Sequence, residues 1–393
     1  MKNKKLFIFV PLILMILLGV GCDGLFQPEE SQIASRRNPI NLTINEWTNG
    51  EITQEDKNGS GEQWFSFTTT DSLQYIYIKF GSLKSLYVSL YDSEYNQIGD
   101  KVFFEGSGGQ VKKIDRSFDN NTIYYIRISE TDSWRTSERS GTYKIGFTEF
   151  PAQPGTVITE LNLDTWMNGE IIQENKNGSG EQWFSFTATD SMQHIYIKFG
   201  SLESLYVSIY DSEYNQIGDK VIFEGSGAQV KKIDRSFDNN TIYYIRVSET
   251  DSWRTSERSG TYKIGFTEFP AQPGTVITEL NLDTWMNGEI IQENKNGSGE
   301  QWFSFTATDS LQYIYIKFGS LKSLYVSLYD SEYNQISDRV IFEGNGGQVK
   351  KIDRVVDDNT IYYIRVSETD SWRTSERSGT FHISINTRDE EPL

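Results

Sequence analysis

A spacing of 119 residues runs through this chain and constrains its fold more than any other feature. Trp64, Trp183 and Trp302 stand 119 apart, as do Trp47, Trp166 and Trp285, and again Trp134, Trp253 and Trp372. All nine tryptophans belong to such triplets, and residues 161–191 repeat without a difference as 280–310. The period is too long for a solenoid unit of roughly 20–50 residues and has the size of an autonomous domain. Between copies, Phe150-Pro151-Ala152-Gln153-Pro154-Gly155 recurs as Phe269-Pro270-Ala271-Gln272-Pro273-Gly274. Two prolines in four residues end a strand and limit bending, so the repeats are expected to form an extended string.

Within a copy the hydrophobic pattern has period two. In 74–80, Ile76, Ile78 and Phe80 oppose Tyr75, Tyr77 and Lys79; in 86–91, Leu86, Val88 and Leu90 oppose Tyr87, Ser89 and Tyr91. Tyr124, Ile126 and Ile128 share one face, as do Tyr143, Ile145 and Phe147, while 64–68 and 102–104 add two short strands. Turn clusters such as Asn58-Gly59-Ser60-Gly61 and Asp119-Asn120-Asn121 separate these runs. Six to eight short strands per copy and no helical stretch predict an all-β chain of three tandem antiparallel β-sandwiches, jelly-roll-like in type. The predicted boundaries are 1–21 for a signal peptide, 22–39 for a lipidated cysteine and flexible tether, 40–150, 151–269 and 270–387 for the sandwiches, and 388–393 for a charged tail.

Four runs in order, Gln63-Trp64-Phe65-Ser66-Phe67, Leu86-Tyr87-Val88-Ser89-Leu90-Tyr91-Asp92, Tyr124-Tyr125-Ile126-Arg127-Ile128 and Ser140-Gly141-Thr142-Tyr143-Lys144-Ile145, resemble the bacterial pre-peptidase C-terminal (PPC) domain. The resemblance covers each repeat over about 47–148. It implies a jelly-roll-like sandwich of secreted proteins, some members of which bind matrix protein, polysaccharide or calcium. The usual neighbouring peptidase is missing from this sequence.

The start of the chain reads as an export signal. Lys2, Lys4 and Lys5 precede an apolar stretch, 6–20, interrupted by Pro11 and shorter than the roughly 20 residues of a membrane-spanning helix. Leu18-Gly19-Val20-Gly21-Cys22 resembles a relaxed, spirochaete-type lipobox, which implies cleavage before Cys22 and lipidation of that residue. Cys22 is the only cysteine, at the one position that lipidation needs. Membrane attachment through the lipid, in the bacterial cell envelope at the outer membrane or cell surface, is therefore expected. The polar segment after it is expected to lift the domains off the membrane.

Charge and composition exclude several function classes. The net charge is -18, and without the three lysines of 1–21 it is -21, so a phosphate backbone is repelled and nucleic acid is not an expected partner. One cysteine permits no internal disulfide and no zinc cluster. His194 aligns with Tyr75 and Tyr313, and His382 with Lys144 and Lys263, so neither histidine can belong to a triplicated catalytic site. No nucleophile elbow, phosphate loop or metal motif is present, and neither enzymatic activity nor a cofactor or metal is expected.

Two sets of residues are candidates for ligand binding. A polar loop between the last two strands of each copy carries Trp134 with Arg135 and Arg139, Trp253 with Arg254 and Arg258, and Trp372 with Arg373 and Arg377. A loop Trp beside Arg can stack on a sugar or anchor a protein; the alternative is a Trp folded over the sandwich end. Tyr75, Tyr77, Tyr87 and Tyr91 oppose the aliphatic faces of neighbouring strands and are expected to form an outer aromatic platform; the alternative is a stabilising cross-strand ladder. Asp92-Ser93-Glu94-Tyr95-Asn96 carries oxygen ligands at alternate positions, loosely like a calcium loop, but has the composition of a hairpin turn. Together these features predict a monomeric, multivalent, non-catalytic array for glycan or matrix-protein ligands. The alternatives are a structural spacer without a ligand and an accessory subunit of an exported enzyme.

Overall fold

The computed structural model describes residues 35–53, 61–131, 140–172, 180–250, 259–291, 299–369 and 378–392. The candidate signal, Cys22 and the three Trp/Arg loops (Trp134, Arg135, Arg139; Trp253, Arg254, Arg258; Trp372, Arg373, Arg377) lie outside the described residues.

The first repeat contains β1 (Ile40–Asn41), β2 (Thr48–Ile52), β3 (Glu62–Thr68), β4 (Leu73–Phe80), β5 (Ser85–Tyr91), β6 (Val102–Glu105), β7 (Val111–Ser117), β8 (Ile123–Ser129) and β9 (Gly141–Thr148). They form a five-stranded sheet, β1-β3-β8-β5-β6, and a four-stranded sheet, β2-β9-β4-β7. Among the described strands of this repeat only β1 pairs in parallel, with Ile40 opposite Phe65. The same two sheets with the same strand order recur in the other two repeats. The chain is thus all-β, three tandem antiparallel sandwiches of jelly-roll-like type, with no helix among the described residues.

The period-two pattern explains each core. Ile76, Ile78, Leu86, Val88, Ile126, Ile128 and Ile145 are almost wholly buried between the two sheets, with Phe65, Phe67 and Tyr143 filling the middle. Each such side chain contributes about 1.5–3 kcal/mol on leaving water. Equivalent clusters fill the second and third sandwiches. Three strands escaped the sequence reading, β1, β2 and β7. β7 is Val111-Lys112-Lys113-Ile114-Asp115-Arg116-Ser117, an edge strand whose charges guard it against further pairing.

The connection between β4 and β5 is short but crosses from one sheet to the other. Tyr75 and Tyr77 therefore leave through one side of the sandwich, and Tyr87 and Tyr91 through the opposite side. The single tyrosine platform expected from sequence does not exist.

The connections between sandwiches are not free spacers. The linkers are folded into the junctions: Ala152 and Ala271 are buried, against Trp183 and Tyr210 in one case and Trp302 and Tyr329 in the other. Gly155 N donates to Asn45 Oδ1 at 3.0 Å, and Gly274 N to Asp164 Oδ1 at 3.0 Å, tying each linker to the repeat before it. Gly146 and Gly265 lie close under both their own repeat and the linker: a Cβ on either would lie 2.4 or 2.5 Å from the Glu46 or Thr165 carbonyl oxygen and 2.7 Å from Cγ of Pro154 or Pro273. The third copy, followed by no such linker in this sequence, has Ser384 at this position.

Candidate functional site

The outward face of the five-stranded sheet carries two kinds of site. At its centre in the second repeat are Glu181 and Trp183 on strand Glu181–Thr187, Tyr244 and Arg246 on strand Ile242–Ser248, and Tyr210 on strand Ser204–Tyr210. Trp183 pairs in register with Arg246, and Arg246 with Ser208. Phe150 and Ala152 of the linker lie on this face, with the Phe150 ring 5.8 Å from that of Tyr214. Tyr214 holds φ at +62°, a left-handed conformation that a bulky residue rarely adopts. Its ring stacks on Tyr244 at 4.5 Å, so the turn closes an aromatic box around the linker. Tyr333 repeats this at the next junction, where Phe269 lies 4.4 Å from Trp302.

The opposite wall of each junction is the outward face of the preceding four-stranded sheet. Tyr75 and Tyr77 are buried there, 4% and 3% exposed, and share a cleft of about 460 Å³ with Glu181 and Arg246. Burial pushes the Tyr75 hydroxyl up to about 12 and Tyr77 far higher. Tyr77 Oη and Trp183 Nε1 are buried without a hydrogen-bond partner. These tyrosines are junction residues, inaccessible to a polysaccharide, which corrects their assignment as platform residues. Tyr91 belongs to the matching face of the first repeat, with its ring 4.9 Å from Trp64.

The His194 difference also falls in a junction wall. Its Nδ1 lies 2.6 Å from Asp234 Oδ1, and Lys232 Nζ is 3.0 Å from the same oxygen. Burial raises the Asp234 carboxyl, but the hydrogen bonds and charges of His194 and Lys232 outweigh it and hold the group below the usual range.

The candidate calcium loop is a closed turn. Asp92 accepts hydrogen bonds from Glu94 N, Asn96 N and Asn96 Nδ2 at 2.9, 2.8 and 3.0 Å. The bond from the Asn96 side chain leads in holding its carboxyl low. The described residues contain no group of three or more His, Cys, Asp or Glu placed to hold a metal.

What stays accessible is the far edge of the five-stranded sheet. Tyr87 is half-buried, pairs in register with Phe103, and carries Lys101 Nζ 3.7 Å above its ring. Phe103 is 42% exposed. The second repeat presents Tyr206, Ile222 and Lys220 in the same way, with the cation 3.9 Å from the ring; the third presents Tyr325, Ile341 and Arg339, at 4.1 Å. Sequence reasoning found Tyr87 but missed its two partners. The signal was there: Val102 and Phe104 point inward, so the apolar residue between them has to face out. Each trio offers an aromatic edge, an exposed apolar side chain and one cation on an otherwise acidic protein. That combination suits a ligand with an apolar face and an anionic or hydroxyl-rich rim. Thr131, the last described residue before Trp134 in the sequence, is buried, and its Oγ1 lies 2.8 Å from Ser85 Oγ.

No protein-family model and no curated protein sequence matches the chain. Among solved structures, the crystal structure of tripeptidyl peptidase 2 is similar at 9% identity and TM-score 0.23, over 90% of this chain and 33% of that one. The chain thus spans about a third of that peptidase's length. A tandem CBM22-1–CBM22-2 domain from Paenibacillus barcinonensis Xyn10C is similar at 13% identity and TM-score 0.17, over 57% and 94%. A triple jelly-roll protein of an archaeal virus turret is similar at 10% and 0.18, over 87% and 91%. Likeness at these scores carries no inference about function, and the fold rests on the strand order given above.

Proposed function

We propose that the chain is an exported, non-catalytic lipoprotein, anchored in the cell envelope through Cys22, whose PPC-like sandwiches present one weak binding site three times. The observation that carries this reading is the recurrence of the same trio, Tyr87/Lys101/Phe103, Tyr206/Lys220/Ile222 and Tyr325/Arg339/Ile341, at the accessible sheet edge. Three fixed copies raise overall affinity for a repetitive target by a factor on the order of 10²–10⁴ over one site, provided the spacings match. Glycans and matrix fibres meet that condition. The Trp134, Trp253 and Trp372 loops are the second contact set in this reading.

The test is a screen of the intact chain on glycans and matrix proteins. It is repeated with Tyr87, Tyr206 and Tyr325 all changed to alanine, and separately with Trp134, Trp253 and Trp372 so changed. A saturable ligand whose affinity drops roughly a hundredfold in either triple variant supports the array. A folded chain with no saturable ligand, or one that both variants bind as tightly as the unaltered chain does, sinks it.

The second reading is a spacer. It is favoured by the buried linkers, which join the sandwiches through packed interfaces.

A further inference from the structure

Among the described residues no sandwich lies on the outward face of the third four-stranded sheet, the face that forms a junction wall in the first two repeats. In the first repeat this face, with Tyr77 and Lys113, is covered by the second sandwich, and Tyr77 shares its cleft with Glu181. In the third repeat the corresponding residues are Tyr315 and Lys351, and residues 388–392 lie over them. Tyr315 Oη donates to Asp389 Oδ1 at 3.2 Å, and Lys351 Nζ also binds that carboxylate. Lys317 Nζ lies 3.8 Å from Glu391, and Trp285 Nε1 donates to the Pro392 carbonyl at 3.0 Å. An acid of the same chain thus stands beside the buried tyrosine, as Glu181 stands beside Tyr77. Tyr315 is 4% exposed, as buried as the two tyrosines that sandwiches cover.

The complementary face is present as well. Glu62, Trp64, Tyr91, Tyr95, Tyr125 and Arg127 match Glu181, Trp183, Tyr210, Tyr214, Tyr244 and Arg246 residue for residue. Among the described residues no sandwich covers this face in the first repeat, and the Glu62 side chain is 36% exposed where Glu181 is 6% exposed. Arg36 lies over it, 4.7 Å from the Tyr95 ring, in the place that Phe150 takes beside Tyr214.

We infer that residues 388–392 occupy a docking face whose other occupant is the first repeat of a second copy of this chain. The joint between copies is the one the chain already makes twice within itself. It is heterologous, so it leaves a free face at each end and continues beyond a dimer. The tethered segment competes at an effective concentration in the millimolar range and keeps the intact chain monomeric. Between copies the joint lacks the covalent linker and has to displace Arg36, so it forms only at high protein concentration.

The test is sedimentation velocity over a roughly hundredfold concentration range. The intact chain is compared with a chain lacking 388–393 and with the milder Asp389→Ala/Glu391→Ala variant, each checked for folding by circular dichroism. The intact chain is expected to sediment as a monomer throughout. Both altered chains are expected to gain mass with concentration past the dimer. Adding Glu62→Arg to the shortened chain is expected to restore the monomer, because it sets a second cation against Arg127 on the mating face. A folded shortened chain that stays monomeric overturns the inference. So does association that Glu62→Arg leaves unchanged, or an intact chain that polymerises equally.

Discussion

One ion pair, built three times at the same distance, measures what the junctions contribute. Arg127–Glu62, Arg246–Glu181 and Arg365–Glu300 each close at 2.6 Å. The glutamate is 36% exposed in the first repeat but 6% and 7% exposed in the others, because a preceding sandwich and its linker lie on it there. Gln153 N and Gln272 N of the linkers also donate to Glu181 and Glu300, at 3.3 and 3.4 Å. Changing the glutamate to glutamine keeps the shape and removes the charge. Breaking a fully buried pair costs about 3–5 kcal/mol, since it strands the partner's charge. Arg246 keeps 32% of its side chain in solvent, so about 2–3 kcal/mol is expected for Glu181→Gln. The Glu62 pair is exposed on both sides, and about 0.5–1 kcal/mol is expected for Glu62→Gln. At roughly 4 °C per kcal/mol for a unit of this size, the melting transition of the affected repeat falls by about 8–12 °C in the first case and about 2–4 °C in the second. Differential scanning calorimetry of the intact chain and of the three single variants reads the order directly. The expected order is Glu181 and Glu300 together, well above Glu62. If Glu62→Gln destabilises as much as Glu181→Gln, the junctions do not bury these pairs as described.

Two further outcomes follow from local geometry and charge. Ala228 holds φ at +61° where the other copies have Gly109 and Gly347, so Ala228→Gly is expected to stabilise the second repeat by about 1 kcal/mol, read as a rise in its melting temperature; a fall would show that the alanine methyl contributes packing there. The hydrogen bond from Lys351 holds the Asp389 carboxyl below its usual value, so its contribution is complete above the unfolded pKa of about 3.9 and is lost as pH falls through the lower folded value. Amide exchange of 388–392 is therefore expected to lose protection only on acidification below about pH 4, while strand Leu311–Phe318 stays protected; release near neutrality would contradict the contact.

Alternation along the chain reported one thing faithfully, which side chains of a strand point the same way. Ile76 and Ile78, Leu86 and Val88, Ile126 and Ile128 all proved to be core because burial imposes period two on any strand with one face inside. Alternation carries no information about which sheet a strand joins. That is why Tyr75 and Tyr87 looked like neighbours when a sandwich separates them. It is equally silent on what lies outside a face, so tyrosines under another domain were indistinguishable from tyrosines under water. The linker prolines were silent in the same way about packing: Ala152, between Pro151 and Pro154, is buried against Trp183 and Tyr210. Near-identity of the copies hid these facts, and the few departures from it held them. Gly146 and Gly265 lie against a linker proline as well as a carbonyl of their own repeat, and the third copy, with no such linker after it in this sequence, has Ser384 there. In an array this uniform, conserved positions describe the sandwich, and the exceptions describe how one sandwich meets the next.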